Sequence, residues 1–376
     1  MRILIENASI YSLPNKQFIE KGFVYIDKGV ITSVGTGNPP PELEFADYVI
    51  DGRYSVAMPG FAIGMGDILR YVFRFEKGSI DNIISTLSSN DIEALVATNL
   101  ASFALNGVTS IVTRVDIIDQ KILSAIVRAA SECWIRVRIL IPINNIDANS
   151  VEEIIKSALK NVHDQEAINK NIITFGLYID VKSDKNIIYV AKTFNARLYI
   201  DQDVIETIER NSNVMKDCTL IIRKSLSIEY IPIQKIVYLD PNLWHPEKGL
   251  ISLDPLQLNP KSFIITMGRV IEKPLEIIST LCQYNPSNLG IGTDIIENGK
   301  PADIIVLDFS KPPTGPIPIT EYNIAREITS TNYTVDTVVI GGELVVDQGL
   351  ILTIGDKHIR KARSVIESID KRAQIL

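Results

Sequence analysis

The spacing of hydrophobic positions changes twice along the chain. The first fifty residues carry short apolar runs separated by turn signals such as Lys28-Gly29, which predict short strands joined by hairpins. From about Ile63, some segments have apolar positions at helical spacing and others are continuous β-branched runs. After Gly299 the short runs return, Gly341-Gly342 predicts a second hairpin turn, and a basic helix ends the chain. The pattern therefore predicts a long α/β region between two β-rich ends.

The central region alternates predicted strands with predicted helices. Its strands are continuous apolar runs, which is typical of a parallel sheet covered on both faces. The segments predicted as strands are VTSIVTRV, WIRVRILIPI, IITFGLYIDV, ARLYID, TLIIRKS, KIVYLDPN and SFIITMG. The segments predicted as helices are DIEALVATNLASFALNG, KILSAIVRAASEC, VEEIIKSALKNV, NIIYVAKTF, VIETIERN and PLEIISTLCQYN. Repeated strand–helix units over this length predict a (β/α)8 barrel or a doubly wound sheet.

Composition and charge narrow the class of protein. The chain has 376 residues, more than domains with a single ordinary hydrophobic core usually contain. We therefore expect one large barrel or two domains. The net charge of -7 and the lack of a long Lys/Arg run argue against a nucleic-acid partner. No uncharged apolar stretch reaches the ~20 residues of a membrane helix. Three well-separated cysteines form no CxxC pair, so we expect a soluble protein of the reducing cytoplasm.

Both ends of the chain and one helix–strand unit resemble metal-dependent amidohydrolases such as cytosine deaminase, dihydroorotase and chlorohydrolase-type enzymes. The segments that carry the resemblance are ILIENASIYSL, FVYIDKGVITSVG, VIDGRYSVAMPGF, ALNGVTSIVTRVD, GIGTDIIENGKPADIIVLD and VDTVVIGGELVVDQG. The resemblance implies a (β/α)8 TIM barrel over 58–298 and a small composite β-sandwich domain from 1–57 and 299–376, with a C-terminal helix. It also implies a homodimer, and hydrolysis of C–N bonds by a water that zinc or iron activates at the barrel mouth.

The histidines that hold this metal in the family are missing at the corresponding positions. The residues there are Met65 and Asp67 at the first strand, Asp201 and Asp203 after the fifth, and Arg223 after the sixth. A thioether is a poor ligand for a catalytic zinc, and a guanidinium has no lone pair to donate. The eighth-strand aspartate of the family would fall in 266–269, which contains no carboxylate. We therefore expect this chain to have lost the metal site and to hold no cofactor.

The three histidines of the chain lie outside these positions. His163 and His358 are predicted to lie on the surface, whereas His245 follows the predicted seventh strand and is a candidate for the barrel mouth. A Gly-Thr-Asp sequence ending at Asp294 resembles the sequence that often contains the eighth-strand aspartate in the family. Its position just before Asp303 predicts a linker instead, with both aspartates as turn or capping residues.

Charged residues cluster at the predicted strand ends. They are Asp67, Arg114, Asp180, Asp201, Asp203, Arg223, Asp240 and Arg269. Unpaired charges in a partly buried mouth are costly, so these groups should pair with one another or with a ligand. In one interpretation, Arg223 fills the vacated metal position and pairs with Asp67 and Asp201. In a second, Arg114, Arg223 and Arg269 bind a small anionic metabolite. In a third, Asp67, Asp201 and Asp240 hold magnesium or manganese.

Two functional hypotheses follow. The leading one is an amidohydrolase-like protein without the catalytic metal, which binds a small molecule or serves as a structural homologue and does not hydrolyse. The alternative is an active C–N hydrolase with an unorthodox carboxylate metal site or a metal-free acid–base set. Whether the chain is an enzyme stays open at the level of sequence.

Overall fold

The computed structural model of the chain describes residues 1–12, 17–74, 80–143, 148–160, 162, 164–179, 187–204, 218–224, 233, 235–252 and 259–373. The strands of these residues are β1 (Arg2–Ser12), β2 (Gln17–Asp27), β3 (Val30–Thr36), β4 (Tyr48–Asp51), β5 (Ser55–Pro59), β6 (Phe61–Met65), β7 (Val108–Arg114), β8 (Arg136–Pro142), β9 (Ile173–Ile179), β10 (Arg197–Asp201), β11 (Thr219–Ile222), β12 (Lys235–Tyr238), β13 (Gly249–Leu250), β14 (Ile304–Asp308), β15 (Thr334–Ile340), β16 (Glu343–Asp347) and β17 (Leu350–Ile351).

The α-helices are α1 (Ile68–Val72), α2 (Ile80–Thr86), α3 (Ser89–Ala104), α4 (Gln120–Cys133), α5 (Ala148–Leu159), α6 (Gln165–Asn169), α7 (Ile187–Thr193), α8 (Pro260–Ile271), α9 (Pro274–Ser279), α10 (Asn285–Leu289), α11 (Glu321–Thr329) and α12 (Asp356–Ala373). A π-helical turn, Thr280–Tyr284, joins α9 to α10. Short 3₁₀ turns cover Pro41–Leu43 and Gln202–Val204. The predicted helices of the central region are confirmed, except that VIETIERN lies almost wholly outside the described residues.

Strands β6 to β13 form one parallel sheet in chain order. Their side chains are buried almost throughout, which explains why the strands appear in the sequence as continuous apolar runs. The backbone N–H of Ser252, after β13, donates a hydrogen bond to the carbonyl of Gly64 in β6 at 3.2 Å. This bond brings the last strand of the sheet to the first. The fold is therefore α/β, with a curled parallel sheet that fits a TIM-like barrel.

The segment SFIITMG, predicted as the eighth strand, is helical. It lies in α8, which begins after Asn259, whose side chain accepts hydrogen bonds from two backbone N–H groups of the first turn. Phe263, Ile264 and Met267 are buried at helical spacing. The eighth strand is β13, which is only two residues long. A strand this short leaves no distinct apolar run, and for this reason the prediction was wrong.

A second sheet of nine strands is built from both ends of the chain. Its order is β17-β16-β15-β14-β5-β1-β2-β3, and β4 pairs with β1. The two ends meet where β5 runs antiparallel to β14, with Pro59 opposite Ile304. Both predicted hairpin turns are confirmed, since Gly29 has φ +86 and Gly342 has φ +78 in the turns after β2 and β15. The predicted domain boundaries themselves stay a prediction.

A buried ion pair joins the two sheets. Arg136 at the start of β8 donates from Nε and Nη2 to the two carboxylate oxygens of Asp303, at 2.6 and 2.8 Å. Asp303 also accepts from the N–H of Gly341 and the hydroxyl of Thr293. The side chain of Asp303 is 0% exposed, so the prediction of a simple turn or capping role for it was wrong. Its sequence context did not reveal a partner 167 residues away.

Helix α12 packs against the outer helices. His358 contacts Glu132 at 2.8 Å and Lys361 contacts Asp91 at 2.5 Å, which joins α12 to α4 and α3. Asp91 also completes a capping box with Ser88 at the start of α3. The predicted basic helix is therefore present, and two of its polar side chains contact the neighbouring helices. No helix in the described ranges is both long and apolar enough to cross a membrane.

Candidate site at the carboxyl ends of the barrel strands

The candidate site lies at one rim of the curled sheet. In a parallel sheet the carboxyl ends of all strands meet at the same edge, where loops carry the functional side chains. Strands β6, β10 and β11 end at this rim with Met65, Asp201 and Ile222. Tyr178, one residue before the end of β9, and Arg223, directly after β11, complete the central part of the rim.

Arg223, Asp201 and Tyr178 form a closed triangle of hydrogen bonds. The Nε of Arg223 donates to Oδ2 of Asp201 at 2.7 Å, and its Nη2 donates to the hydroxyl oxygen of Tyr178 at 2.6 Å. The hydroxyl of Tyr178 in turn donates to Oδ2 of Asp201 at 2.6 Å. The Asp201 side chain is 3% exposed and that of Arg223 is 34% exposed. The predicted ion pair of Arg223 with Asp201 is therefore present.

The local backbone holds this triangle in place. The N–H of Asp203 donates to Oδ1 of Asp201 at 3.2 Å, so both carboxylate oxygens accept hydrogen bonds. The side-chain oxygen of Gln202 accepts from the N–H groups of Arg223 and Lys224, each at 3.0 Å. Burial raises the pKa of Tyr178, and its hydrogen bond to the Asp201 carboxylate raises it further. Tyr178 therefore stays a hydrogen-bond donor at neutral pH.

Asp67 does not contact Arg223, and this part of the prediction was wrong. Its carboxylate caps α1, since Oδ1 accepts from the N–H of Leu69 at 2.8 Å and Oδ2 accepts from the N–H of Asp116 at 3.1 Å. Burial raises the pKa of Asp67 to about 6, although these two backbone hydrogen bonds lower it. Helix α1 has only five residues, too few for the sequence pattern to reveal its cap.

Arg114 lies near the ring of Tyr178. Its Cζ is 5.3 Å from the centre of the Tyr178 ring, within the range of a cation–π contact. Its Nε is 2.6 Å from Oδ1 of Asp116, and Oδ2 of Asp116 lies 3.4 Å from the Nε of Arg70. The sequence prediction missed Asp116 and Tyr178. Asp116 could have been found as the next carboxylate after the end of β7, whereas Tyr178 looked like an ordinary buried strand residue.

The other predicted site residues lie apart from this cluster. Asp240 forms a turn after β12, where its Oδ1 accepts from the backbone N–H and the side-chain amide of Asn242. His245 is exposed in the same loop, with Nδ1 2.9 Å from the carbonyl oxygen of Pro246. Arg269 is exposed in the last turn of α8, so its placement at the mouth was wrong.

Several residues of interest lie outside the described part of the chain. They are Asp180, His163 and Asp254, and the side chain of Met65. Asp254 follows the corrected eighth strand by four residues. The sequence therefore does offer a carboxylate after that strand, and the prediction that it offers none was wrong. The error came from the wrong assignment of α8 as a strand.

The described rim residues do not fit a catalytic zinc or iron ion. Both oxygens of Asp67 accept backbone hydrogen bonds, and both oxygens of Asp201 are engaged within the triangle or by Asp203. Arg223 brings a positive charge and no lone pair. Among the described residues, no group of three or more His, Cys, Asp or Glu side chains is arranged to hold a metal ion.

Sequence comparisons find similarity in only part of the chain. No protein-family model matches it. A curated 5-methylthioadenosine/S-adenosylhomocysteine deaminase from Syntrophomonas wolfei is 47% identical over 62 residues. The match covers 16% of this chain and spans 14% of the length of that relative. The resemblance at the level of sequence is thus strong but local.

Structural comparisons cover nearly the whole chain. The zinc complex of an atrazine chlorohydrolase from Arthrobacter aurescens TC1 has a TM-score of 0.76 at 14% identity, over 97% of this chain and 100% of that one. An adenosine deaminase from Xanthomonas campestris with bound zinc has a TM-score of 0.69 at 14% identity, over 98% of both chains. An amidohydrolase from a Sargasso Sea sample has a TM-score of 0.72 at 14% identity, over 98% and 100%. The chain therefore shares the fold of these hydrolases and of the deaminase.

Proposed function

We propose that this chain is a metal-independent relative of the zinc-bound hydrolases. We also propose that the barrel mouth of this chain binds a small organic anion. The ion pair of Arg223 with Asp201 is the observation that carries the proposal. The family resemblance puts a metal-binding histidine at the position of Arg223. A guanidinium supplies a fixed positive charge there without any coordination bond. A guanidinium cannot activate a water molecule as a coordinating metal ion does. It can, however, recognise an anion through hydrogen bonds and charge.

Two partly exposed guanidiniums near Tyr178 support an anionic ligand. The Arg223 side chain is 34% exposed and the Arg114 side chain is 24% exposed, so each presents part of its surface to the mouth. Among the residues that the structure describes, each pairs with one carboxylate, Asp201 or Asp116, which leaves further N–H donors of the guanidinium. A ligand carboxylate would accept paired hydrogen bonds from the remaining donors, which is the geometry that arginine favours.

Elemental analysis tests the metal-independent part of the proposal. The protein is expressed in medium supplemented with zinc, iron and manganese, and the metal content per chain is measured after purification. We expect substoichiometric metal, and we expect Asp254→Asn to change nothing in that value. One tightly bound ion per chain, lost in Asp254→Asn, would contradict the proposal, because it would show that the corrected eighth strand supplies a ligand.

Calorimetric titration with a panel of small carboxylates tests the anion. We expect Arg223→Ala to weaken binding at least about tenfold, the value of one lost charge-assisted hydrogen bond. Arg269→Ala removes the same charge from the exposed surface of α8 and should leave the affinity unchanged. Equal affinities in wild type and Arg223→Ala would rule out an anion at this rim.

A second candidate function is metal-free hydrolysis of a C–N bond. The raised pKa of Asp67, about 6, favours it, because a general base works best when its pKa is close to the working pH. The local match to a deaminase of adenosine-type nucleosides suggests the assay, which is release of ammonia from 5-methylthioadenosine with and without added zinc. We expect no release. Release that is independent of zinc and lost in Asp67→Asn would favour this second function over the first.

A further inference from the structure

A cavity at the opposite end of the barrel has unusual charge. It has a volume of about 480 Å³, within the range of small-molecule pockets. The cavity lies where the amino ends of β8 and β9 face the β2–β3 hairpin and the segment after α10. Its lining includes Lys28, Arg136, Arg138 and Lys170, and its described lining residues include no Asp or Glu. A positive pocket of this kind favours an anion.

Arg138 is the group that needs a partner. The residue is 9% exposed, yet it makes no ion pair with any described residue. Its Nε donates to the hydroxyl of Thr174 at 3.0 Å, and its Nη1 donates to the hydroxyl of Tyr199 and the carbonyl of Leu289. These acceptors are neutral, so they satisfy hydrogen bonds without compensating the charge. Nη2 has no hydrogen-bond partner in the described part of the chain.

The other cations of the cavity differ from Arg138. Arg136 is neutralised by Asp303, and Lys170 lies 2.8 Å from Glu166 and 3.2 Å from Glu343. Lys28 is exposed at the edge, in a turn where its φ is +50. Among the described residues, the buried end of the cavity thus has one guanidinium without an ion-pair partner, and its edge has the exposed ammonium of Lys28.

We propose that this cavity is a second binding site, which takes a phosphate group through Arg138. Phosphate suits the site because it accepts charge-assisted hydrogen bonds from several directions, and arginine and lysine are its usual protein partners. The amide side chains of Asn171 and Asn195 also line the cavity and can donate to further phosphate oxygens. The volume admits either free phosphate or a small phosphorylated metabolite, and the phosphate group is the part that both share.

Equilibrium dialysis with radiolabelled inorganic phosphate tests the site. In buffer of low ionic strength we expect one phosphate per chain, and we expect Arg138→Gln to weaken binding at least about tenfold. Arg269→Gln removes the same charge from the exposed surface of α8 and should bind phosphate as wild type does. Competition by glycerol phosphate distinguishes the two sources, since tighter binding of the ester indicates a phosphorylated metabolite and weaker binding indicates free phosphate.

Three results would overturn the site. They are equal phosphate binding in Arg138→Gln and wild type, displacement by chloride at matched ionic strength, and loss of binding in Arg223→Gln alone. If Arg138→Gln does not fold, Lys28→Asn takes its place, because asparagine tolerates the positive φ of that turn. We expect Lys28→Asn to weaken binding by about threefold, since it removes one exposed charge. Unchanged affinity in this variant would also count against the site.

Discussion

Arg223 shows how one residue sets the chemistry available at the rim. A guanidinium only donates hydrogen bonds, so its neighbours must be acceptors, and Asp201 and Tyr178 are arranged accordingly. The guanidinium thus holds a single positive charge in a planar group with fixed donor directions. Arg223, Asp201 and Tyr178 form one polar network, so we expect the loss of any member to lower the stability of the barrel.

Replacing Arg223 should therefore destabilise the fold. We expect Arg223→Ala to lower the free energy of unfolding by about 2 kcal/mol, below the usual cost of breaking a buried pair because Arg223 is a third exposed. Arg223→Lys keeps the charge and should cost less. Urea unfolding measures both, and a double-mutant cycle with Asp201→Asn isolates the pair. A coupling energy near zero would mean that the contact contributes nothing to stability.

Asp67 should give the fold a specific dependence on pH. Its pKa is about 6 in the folded protein against 3.8 for the ordinary carboxyl, so folding favours the protonated form. The resulting stabilisation is fully present below about pH 3.8 and is lost as the pH rises through 6, by about 3 kcal/mol in total.

The variant Asp67→Asn keeps a capping oxygen and cannot ionise. We expect the difference in unfolding free energy, Asp67→Asn minus wild type, to grow by about 2.4 kcal/mol between pH 4 and pH 7. Urea unfolding at several pH values measures this difference. A constant difference over that range would show that the carboxyl of Asp67 titrates normally.

At the scale of elements, β6 is held to β7 by an unusually close backbone approach. Gly64 has φ +155, and a Cβ placed there would lie 2.1 Å from the carbonyl oxygen of Val112. Only glycine allows this approach without a shift of backbone. Gly64 also accepts the hydrogen bond from Ser252 that connects the last strand to the first. Gly64 thus lies both at the close contact of β6 with β7 and at the hydrogen bond between β6 and the segment after β13.

We expect Gly64→Ala to be among the most destabilising single substitutions, at about 3 kcal/mol or more, because the clash is with backbone atoms. Gly268→Ala is the matched control. Gly268 lies within α8 with its nearest atom 3.9 Å from the added Cβ, so alanine should stabilise the protein by about 0.5–1 kcal/mol. Thermal unfolding compares the two, and shifts of the same sign would contradict the packing argument.

The parts of the fold that could be predicted from the sequence are the helices with long periodic patterns and the strands with continuous apolar runs. The strands from β7 to β12 and the helices α3, α4 and α5 have apolar runs long enough to identify. Strand β13 has two residues and α1 has five, so neither has a recognisable sequence pattern. Because β13 was missed, Arg269 was placed at the mouth, and because α1 was missed, the capping role of Asp67 was not predicted. The contact of Arg223 with Asp201 was predictable because adjacent parallel strands bring their ends together. Contacts of Tyr178 and Asp303 depend on tertiary packing, which no local pattern encodes.

At the scale of the whole molecule, the two sheets are joined by Arg136 and Asp303. Their side chains are 5% and 0% exposed, and the carboxylate has four separate donors from three parts of the chain. A pair this buried costs much to desolvate, but removing one partner costs more, because the other charge is then left alone. Removing one partner should therefore destabilise the junction between the two sheets.

We expect Asp303→Asn to lower the free energy of unfolding by about 3–4 kcal/mol. The control is Asp47→Asn, which breaks the exposed pair with Arg2 and should cost much less. Hydrogen exchange of the β8 and β14 amides should rise in Asp303→Asn and stay at wild-type rates in the control. Equal losses in the two variants would show that burial does not distinguish the pairs.

The pairing of β5 with β14 has a consequence for synthesis of the protein on the ribosome. Pro59 of β5 lies opposite Ile304 of β14, so β5 can form this pairing only after about 245 further residues have been synthesised. At roughly 5–20 residues per second, this delay is on the order of 10 to 50 seconds. During that time the nascent chain presents an unpaired apolar strand edge, which is a substrate for chaperones and a starting point for aggregation. Expression yield should therefore depend on translation speed through the barrel region more than on the stability of the finished protein.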